Sequence, residues 1–148
     1  MRSLFEKDTV AELKKRILQL DSKSHPVWGR MTADQMLVHC QKPLELALRK
    51  ITIPKGKPIF RLLAPFFKSS MYNDTPWKQN QPTVAAFKIT SRFNVREEQK
   101  KLLDLIQEFH QTIPENLGKH PFFGSFTSAQ WGQLQYKHLD HHLRQFGV

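Results

Sequence analysis

Apolar positions recur with a helical period along much of the chain. Val10, Leu13, Ile17 and Leu20 fall on one side of a helix that Asp8 or Thr9 can cap, which predicts a first helix over residues 8–20. Thr32 followed by Gln35 has the form of a capping box and opens a second helix over 32–49, with Met36, His39, Leu44 and Ala47 facing inward. Pro43 removes the bond to the His39 carbonyl and should kink this helix. Asn94 with Glu97, and Thr127 with Gln130, repeat the capping signal ahead of helices at 94–111 and 128–146. Gly147 then stands at the C′ position of the last helix. Between the second and third of these helices, Pro54, Gly56, Pro58, Pro65, Pro76 and Pro82 break the pattern. Residues 59–71 read there as one short helix, and 83–90 as an extended segment with no strand to pair with. The expected class is all-α, an up-down four-helix bundle formed by a single domain over 1–148, with 50–93 wrapped irregularly outside.

Composition narrows this without changing it. A chain of 148 residues with 11 Phe and 3 Trp has enough apolar surface to build one core, which argues against disorder. The longest apolar run, 59–67, is interrupted by Arg61 and Pro65 and is far too short for a membrane span. The first eight residues contain no apolar signal core, and the single Cys40 excludes an internal disulfide or a multi-cysteine zinc site. A reduced, cytoplasmic setting is therefore expected. Lys and Arg number 23 against 13 Asp and Glu, a formal charge of +10, which raises nucleic acid or an anionic surface as partners. The basic residues are scattered, however, in runs of at most three and without interleaved aromatics, as on a solvated surface.

The histidines change the picture more. Of seven, His138, His141 and His142 lie within five positions. At about 100° per residue, His138 and His142 share one helix face a turn apart, and His141 sits about 60° round from His138 at the edge of the buried stripe. Trp131, Leu134 and Gln145 lie on the side of His138, and Tyr136, Leu139, Leu143 and Phe146 form the adjoining apolar flank. Gln133, Lys137, Asp140 and Arg144 take the opposite side and should face water. Two imidazoles so placed can converge on one ion at about 2.0–2.1 Å. The alternative is a surface-edge cluster that titrates near neutrality. A third ligand would come from a facing helix, and His39 is the best placed; alone, it also reads as a core histidine bonded to a backbone carbonyl. Cys40, about 100° round from His39, reads as a buried inert thiol rather than a fourth ligand. His25, His110 and His120 read as surface or loop residues, His120 as part of a lid.

Residues 32–40 (TADQMLVHC) and 136–147 (YKHLDHHLRQFG) resemble the DinB/YfiT-like metalloenzyme superfamily. Within it, the chain is similar to a branch of bacterial domains of unknown function. That branch carries Trp-Gly-Arg-Met before the first ligand helix and His-Pro-x-Phe-Gly before the last. Both occur here, as Trp28-Gly29-Arg30-Met31 and His120-Pro121-Phe122-Phe123-Gly124, and the resemblance runs from residue 4 to 147. It implies an up-down four-helix bundle holding a divalent ion by one histidine of the second helix and an H-x-x-x-H pair of the last. Those positions are His39, His138 and His142, and Gln145 matches a glutamine three residues beyond the last ligand. Better-studied relatives have Arg directly after that ligand; Leu143 stands here, so the role of that Arg does not carry over.

Three imidazoles on one side of an ion leave positions open, as in a catalytic site rather than a closed structural one. Zinc or nickel suits such ligands best, with iron or manganese behind them. An ion of this kind lowers the pKa of a water or takes up a thiolate. The resemblance implies the latter, because characterised members include thiol-dependent S-transferases. The expected function is a metal-dependent transferase or hydrolase acting on a small molecule such as a low-molecular-weight thiol, as a monomer or homodimer, with neither membrane nor nucleic acid as partner. The alternative is a metal-stabilised, non-catalytic binding module whose basic surface takes an anionic partner. No Asp or Glu is placed by spacing beside the histidines; Glu45 and His141 are the nearest titratable groups.

Overall fold

The computed structural model describes residues 2–54 and 58–148; Gly56, one of the expected breaks, lies outside them. The described residues form five α-helices, α1 (Lys7–Ile17), α2 (Ala33–Ala47), α3 (Pro58–Lys68), α4 (Val95–Gln111) and α5 (Ser128–Gln145), with short 3-10 turns at Ser69–Met71, Ala85–Phe87 and Pro114–Asn116. No strand occurs among them, so the class is all-α. One antiparallel bridge, between His120 and Gly124, closes the loop before α5. None of these helices is long and apolar enough to cross a membrane.

The capping chemistry accounts for most boundaries. Gln35 Oε1 accepts the Thr32 N–H at 3.1 Å, and α2 runs on through Pro43 to Ala47. Thr127 and Gln130 form the full reciprocal box, and Gly147 takes the left-handed conformation (φ +73°) that ends α5. Two caps differ from expectation. Neither Asp8 nor Thr9 caps α1, which starts at Lys7; the Thr9 hydroxyl instead turns back to Glu6 Oε2 at 2.9 Å. At α4, Asn94 accepts from the Arg96 and Glu97 N–H groups, but the inward acid is Glu98, bound by Gln41 Nε2 at 2.8 Å, so Glu97 closes no box. The first helix also ends three residues early. Gln99 Nε2 donates to both Ile17 O and Leu20 O at 2.7 Å, which satisfies carbonyls that further helix would otherwise have used.

Helices α1, α2, α4 and α5 pack against one another, and Leu13, Met36, Leu44, Ile106, Phe109 and Leu139 lie at the centre of their shared apolar cluster. From the 50–93 segment, Met71 and Trp77 pack against this core. The segment's helix α3 matches the short helix expected there, whereas 83–90, read as extended, contains the Ala85–Phe87 turn. This segment overturns one feature of the α5 helical wheel. Lys137, placed on the water side, is 6% exposed, and its Nζ donates to Ser70 O, Asn73 O and Asn73 Oδ1 at 2.8, 3.0 and 2.7 Å. A wheel assigns a face to solvent only where nothing else covers it, and here residues 70–77 do. Asp140 on the same side is half-buried in an ion pair with Arg16 at 2.9 Å, while the Arg144 side chain remains 57% exposed.

Candidate metal centre

The buried face of α2 carries His39, and α5 carries His138 and His142 one turn apart. One ring nitrogen from each lies within 4.8 Å of the other two, and this group could hold a metal ion. All three side chains are buried. The ring centroids are 4.7–5.0 Å apart.

Their hydrogen bonds fix the tautomers. His39 Nδ1 lies 2.8 Å from Phe87 O. A carbonyl only accepts, so Nδ1 carries the proton and Nε2 keeps its lone pair. His142 Nδ1 lies 2.8 Å from Gln145 Oε1. The glutamine's orientation is set in turn by its Nε2, which donates to Trp28 O at 2.8 Å. His142 therefore also holds its proton on Nδ1 and its lone pair on Nε2. Imidazoles tethered through one N–H, with the other nitrogen bare, match the outer-partner pattern of metal ligands.

The expectation of a carbonyl-bonded core histidine at His39 is thus met at Nδ1, but it leaves Nε2 aimed at His138 Nε2, 3.1 Å away. Without an ion, His138 must donate across that gap, and its buried Nδ1 then has no hydrogen-bond partner. Two nitrogens each about 2.0–2.1 Å from a tetrahedral ion would be about 3.3 Å apart, close to the observed separation. Burial holds all three pKa values down: His39 below its usual range, His138 well below, and His142 at about 3, the last two also lowered by their imidazole neighbours. Neutral rings are what ligation needs. The donor set fits a divalent ion.

Gly29 belongs to this assembly. Its φ of +82° strains any other residue, and a Cβ there would run into Gln145 Nε2, so a side chain at 29 pushes on the glutamine that orients His142.

The other candidates separate cleanly. His141 is outside the three-histidine group; its ring packs between Trp28 and Trp77, 6.0 and 5.9 Å away, and edge-on to His142. Cys40 is buried against Met36 Sδ at 3.5 Å, and burial pushes its thiol far up, away from thiolate. Glu45 pairs with Lys42 at 2.9 Å. His25 is exposed, and His110 bonds Leu4 O at 3.0 Å. His120 is a loop residue but not a surface one. Its ring packs among Phe122, Phe123, Phe126 and Trp131, its Nδ1 accepts from the Phe122 and Phe123 N–H groups, and burial, aided by the Lys68 charge, pushes its pKa down to about 4.

The three histidines and His120 share a cavity of about 650 Å³, whose wall comes from α2, α3, the 81–87 stretch, the loop before α5, and α5 itself. No Asp, Glu, Lys or Arg among the described residues lines it. Sequence spacing gave no hint of this wall, because residues 50–93 carry no period.

Neither the curated proteins nor the solved structures contain a match to this chain. One family does match, over residues 15–147, so that it takes in α2 to α5 and all three histidines: the chain belongs to DUF1569, a family of proteins of unknown function.

Proposed function

We propose that the chain is a metal-dependent enzyme, a transferase or hydrolase, with one divalent ion held by His39, His138 and His142. The observation that carries this reading is the convergence of three buried, neutral imidazoles, two of them tethered through Nδ1–H, at the wall of a cavity. The four helices that share the core, with ligands on the second and last of them, support a DinB/YfiT-like up-down bundle for this fold. Zinc or nickel suits the imidazole set, ahead of iron or manganese. Such an ion supplies a Lewis acid that activates a water or the sulfur of a small thiol. Phe87 O and Gln145 orient two of the rings, and the wall around them is largely apolar. An S-transferase acting with a low-molecular-weight thiol is the form of the reaction we favour.

The absence of any carboxylate from the described cavity wall favours a second reading, a metal-stabilised binding module, because no obvious general base faces the site. Elemental analysis of untagged protein, before and after adding Zn²⁺ and Ni²⁺ at neutral pH, tests the first. We expect close to one equivalent of bound metal; less than about 0.2 overturns the proposal. In the cobalt-substituted protein, a visible spectrum that shifts when a small thiol is added supports the enzyme, and an unchanged spectrum supports the binding module.

A further inference from the structure

We infer that the cavity takes an uncharged, largely apolar small molecule, with its hydrocarbon or aromatic body against the Phe67, Phe87, Phe123 and Trp131 side of the wall and its polar, reacting end at the three histidines. The inference rests on the metal-centre reading for the reacting end and on the cavity alone for the body.

Charge segregation carries the argument. The chain has 23 Lys and Arg, yet no Lys, Arg, Asp or Glu among the described residues lines this space. Lys68 and Lys137 come near the wall without lining it, and both ammonium groups are engaged elsewhere: Lys68 Nζ donates to Ser125 O at 2.5 Å and lies over the Phe126 ring at 4.8 Å, and Lys137 Nζ donates to Ser70 O and Asn73. Apart from the histidines, the polar lining is Gln81 and Thr83. An ionised group has no partner in such a place and would lose its hydration uncompensated. An apolar body loses nothing and gains by burial. The volume, about 650 Å³, lies in the range of cavities that enclose drug-sized ligands.

The rim points the same way. Leu63 and Phe67 line the cavity yet are 42% and 60% exposed, a large apolar lip that an occupant would cover. The three histidines stand together in a wall that is otherwise mostly apolar, with His120 set among the rings of Phe122, Phe123 and Trp131; the ligand's functional group then goes toward His39, His138 and His142, and its body along the apolar wall.

The test uses two probes that share one aromatic body. N-phenyl-1-naphthylamine is neutral, and 8-anilino-1-naphthalenesulfonate carries a fixed negative charge. Full-length untagged protein, with and without a chelator, is titrated with each, and energy transfer from Trp77 and Trp131 in the wall reports occupancy. We expect saturable one-to-one binding of the neutral probe, at least about tenfold tighter than the sulfonate and insensitive to salt. Phe67→Glu should weaken it at least about fivefold, whereas Phe66→Glu, at a site 79% exposed and outside the lining, should not. Equal or tighter binding of the sulfonate overturns the inference, since the basic surface would then govern association. Equal effects of the two glutamate variants overturn it as well. Metal content measured on the same samples separates the two readings. Full metal without probe preference refutes the apolar ligand and spares the metal centre; selective probe binding without metal uptake refutes the metal centre and supports the apolar cavity.

Discussion

Replacing Lys137 by alanine should destabilise the protein by roughly 2–3 kcal/mol. The ammonium has three protons, and each has a partner: Ser70 O at 2.8 Å, Asn73 O at 3.0 Å and Asn73 Oδ1 at 2.7 Å. Isolated bonds from a charged donor contribute about 1.5–3 kcal/mol each, but three made by one group do not add, and desolvation offsets part of their sum. That offset shows in the direction of the Lys137 pKa, which burial lowers. Because the folded state sheds this proton before the unfolded chain does, stability gains from Lys137 as pH rises toward 10.5. Ser70 O keeps a second donor in Trp77 Nε1 at 2.9 Å, so truncation strips mainly the two Asn73 oxygens. The buried stem adds the packing share of the loss, and Lys137→Met, which keeps most of it, should fall between wild type and alanine. Arg144→Ala is the comparator, with a side chain 57% exposed and a pair to Asp140, which Arg16 also holds; its cost should stay within about 0.5 kcal/mol. Urea unfolding followed by tryptophan emission gives both values. If Lys137→Ala matches Arg144→Ala, then residues 70–77 do not hold α5 as described.

His142→Ala should abolish stoichiometric metal and any metal-dependent rise in Tm, whereas His141→Ala should leave metal content near wild type; elemental analysis with thermal unfolding reads both. Gly29→Ala forces a side chain into positive φ against Gln145, and should cost about 1–3 kcal/mol and weaken metal affinity at least about tenfold, measured by chelator competition. His120, with a folded pKa of about 4 against 6.5, takes up a proton first in the unfolded chain, so its contribution falls as pH drops from 6.5 to 4, by at most ~3.4 kcal/mol. His120→Asn should flatten that part of the stability–pH curve in denaturant titrations.

Local, periodic features were readable from the residues. Thr32–Gln35 and Thr127–Gln130 cap their helices because a cap needs only neighbours in sequence, and rotation along α5 puts His138 and His142 on one buried side for the same reason. Elements that depend on distant chain were not. Lys137 is buried by residues 70–77, whose missing period gave no sign of where they would lie. That His120 belongs to a loop was readable, but its burial was not, because the Phe and Trp rings around it are assembled by tertiary folding. Thr9 failed as a cap because Glu6, one turn earlier, offered its hydroxyl a carboxylate.

The same division runs through the candidate metal centre and bears on how its chemistry could vary. The nitrogens that converge belong to α2 and α5, two helices packed into the common core, so their spacing is set by the most regular part of the molecule. What orients the rings comes from the irregular part: Phe87 O on a 3-10 turn for His39, and, through Gln145, the Trp28 carbonyl for His142. The Phe87 carbonyl is a backbone group with no side-chain signature, whereas His142 is held through the Gln145 side chain, which is visible in the sequence and can be replaced. A change in the conformation of 85–87 would release the His39 tautomer without touching a ligand. The cavity wall draws on the same stretch, at Val84 and Phe87. An occupant large enough to shift the 85–87 backbone, and not the Phe87 ring alone, would therefore also move the acceptor that keeps His39 Nε2 bare.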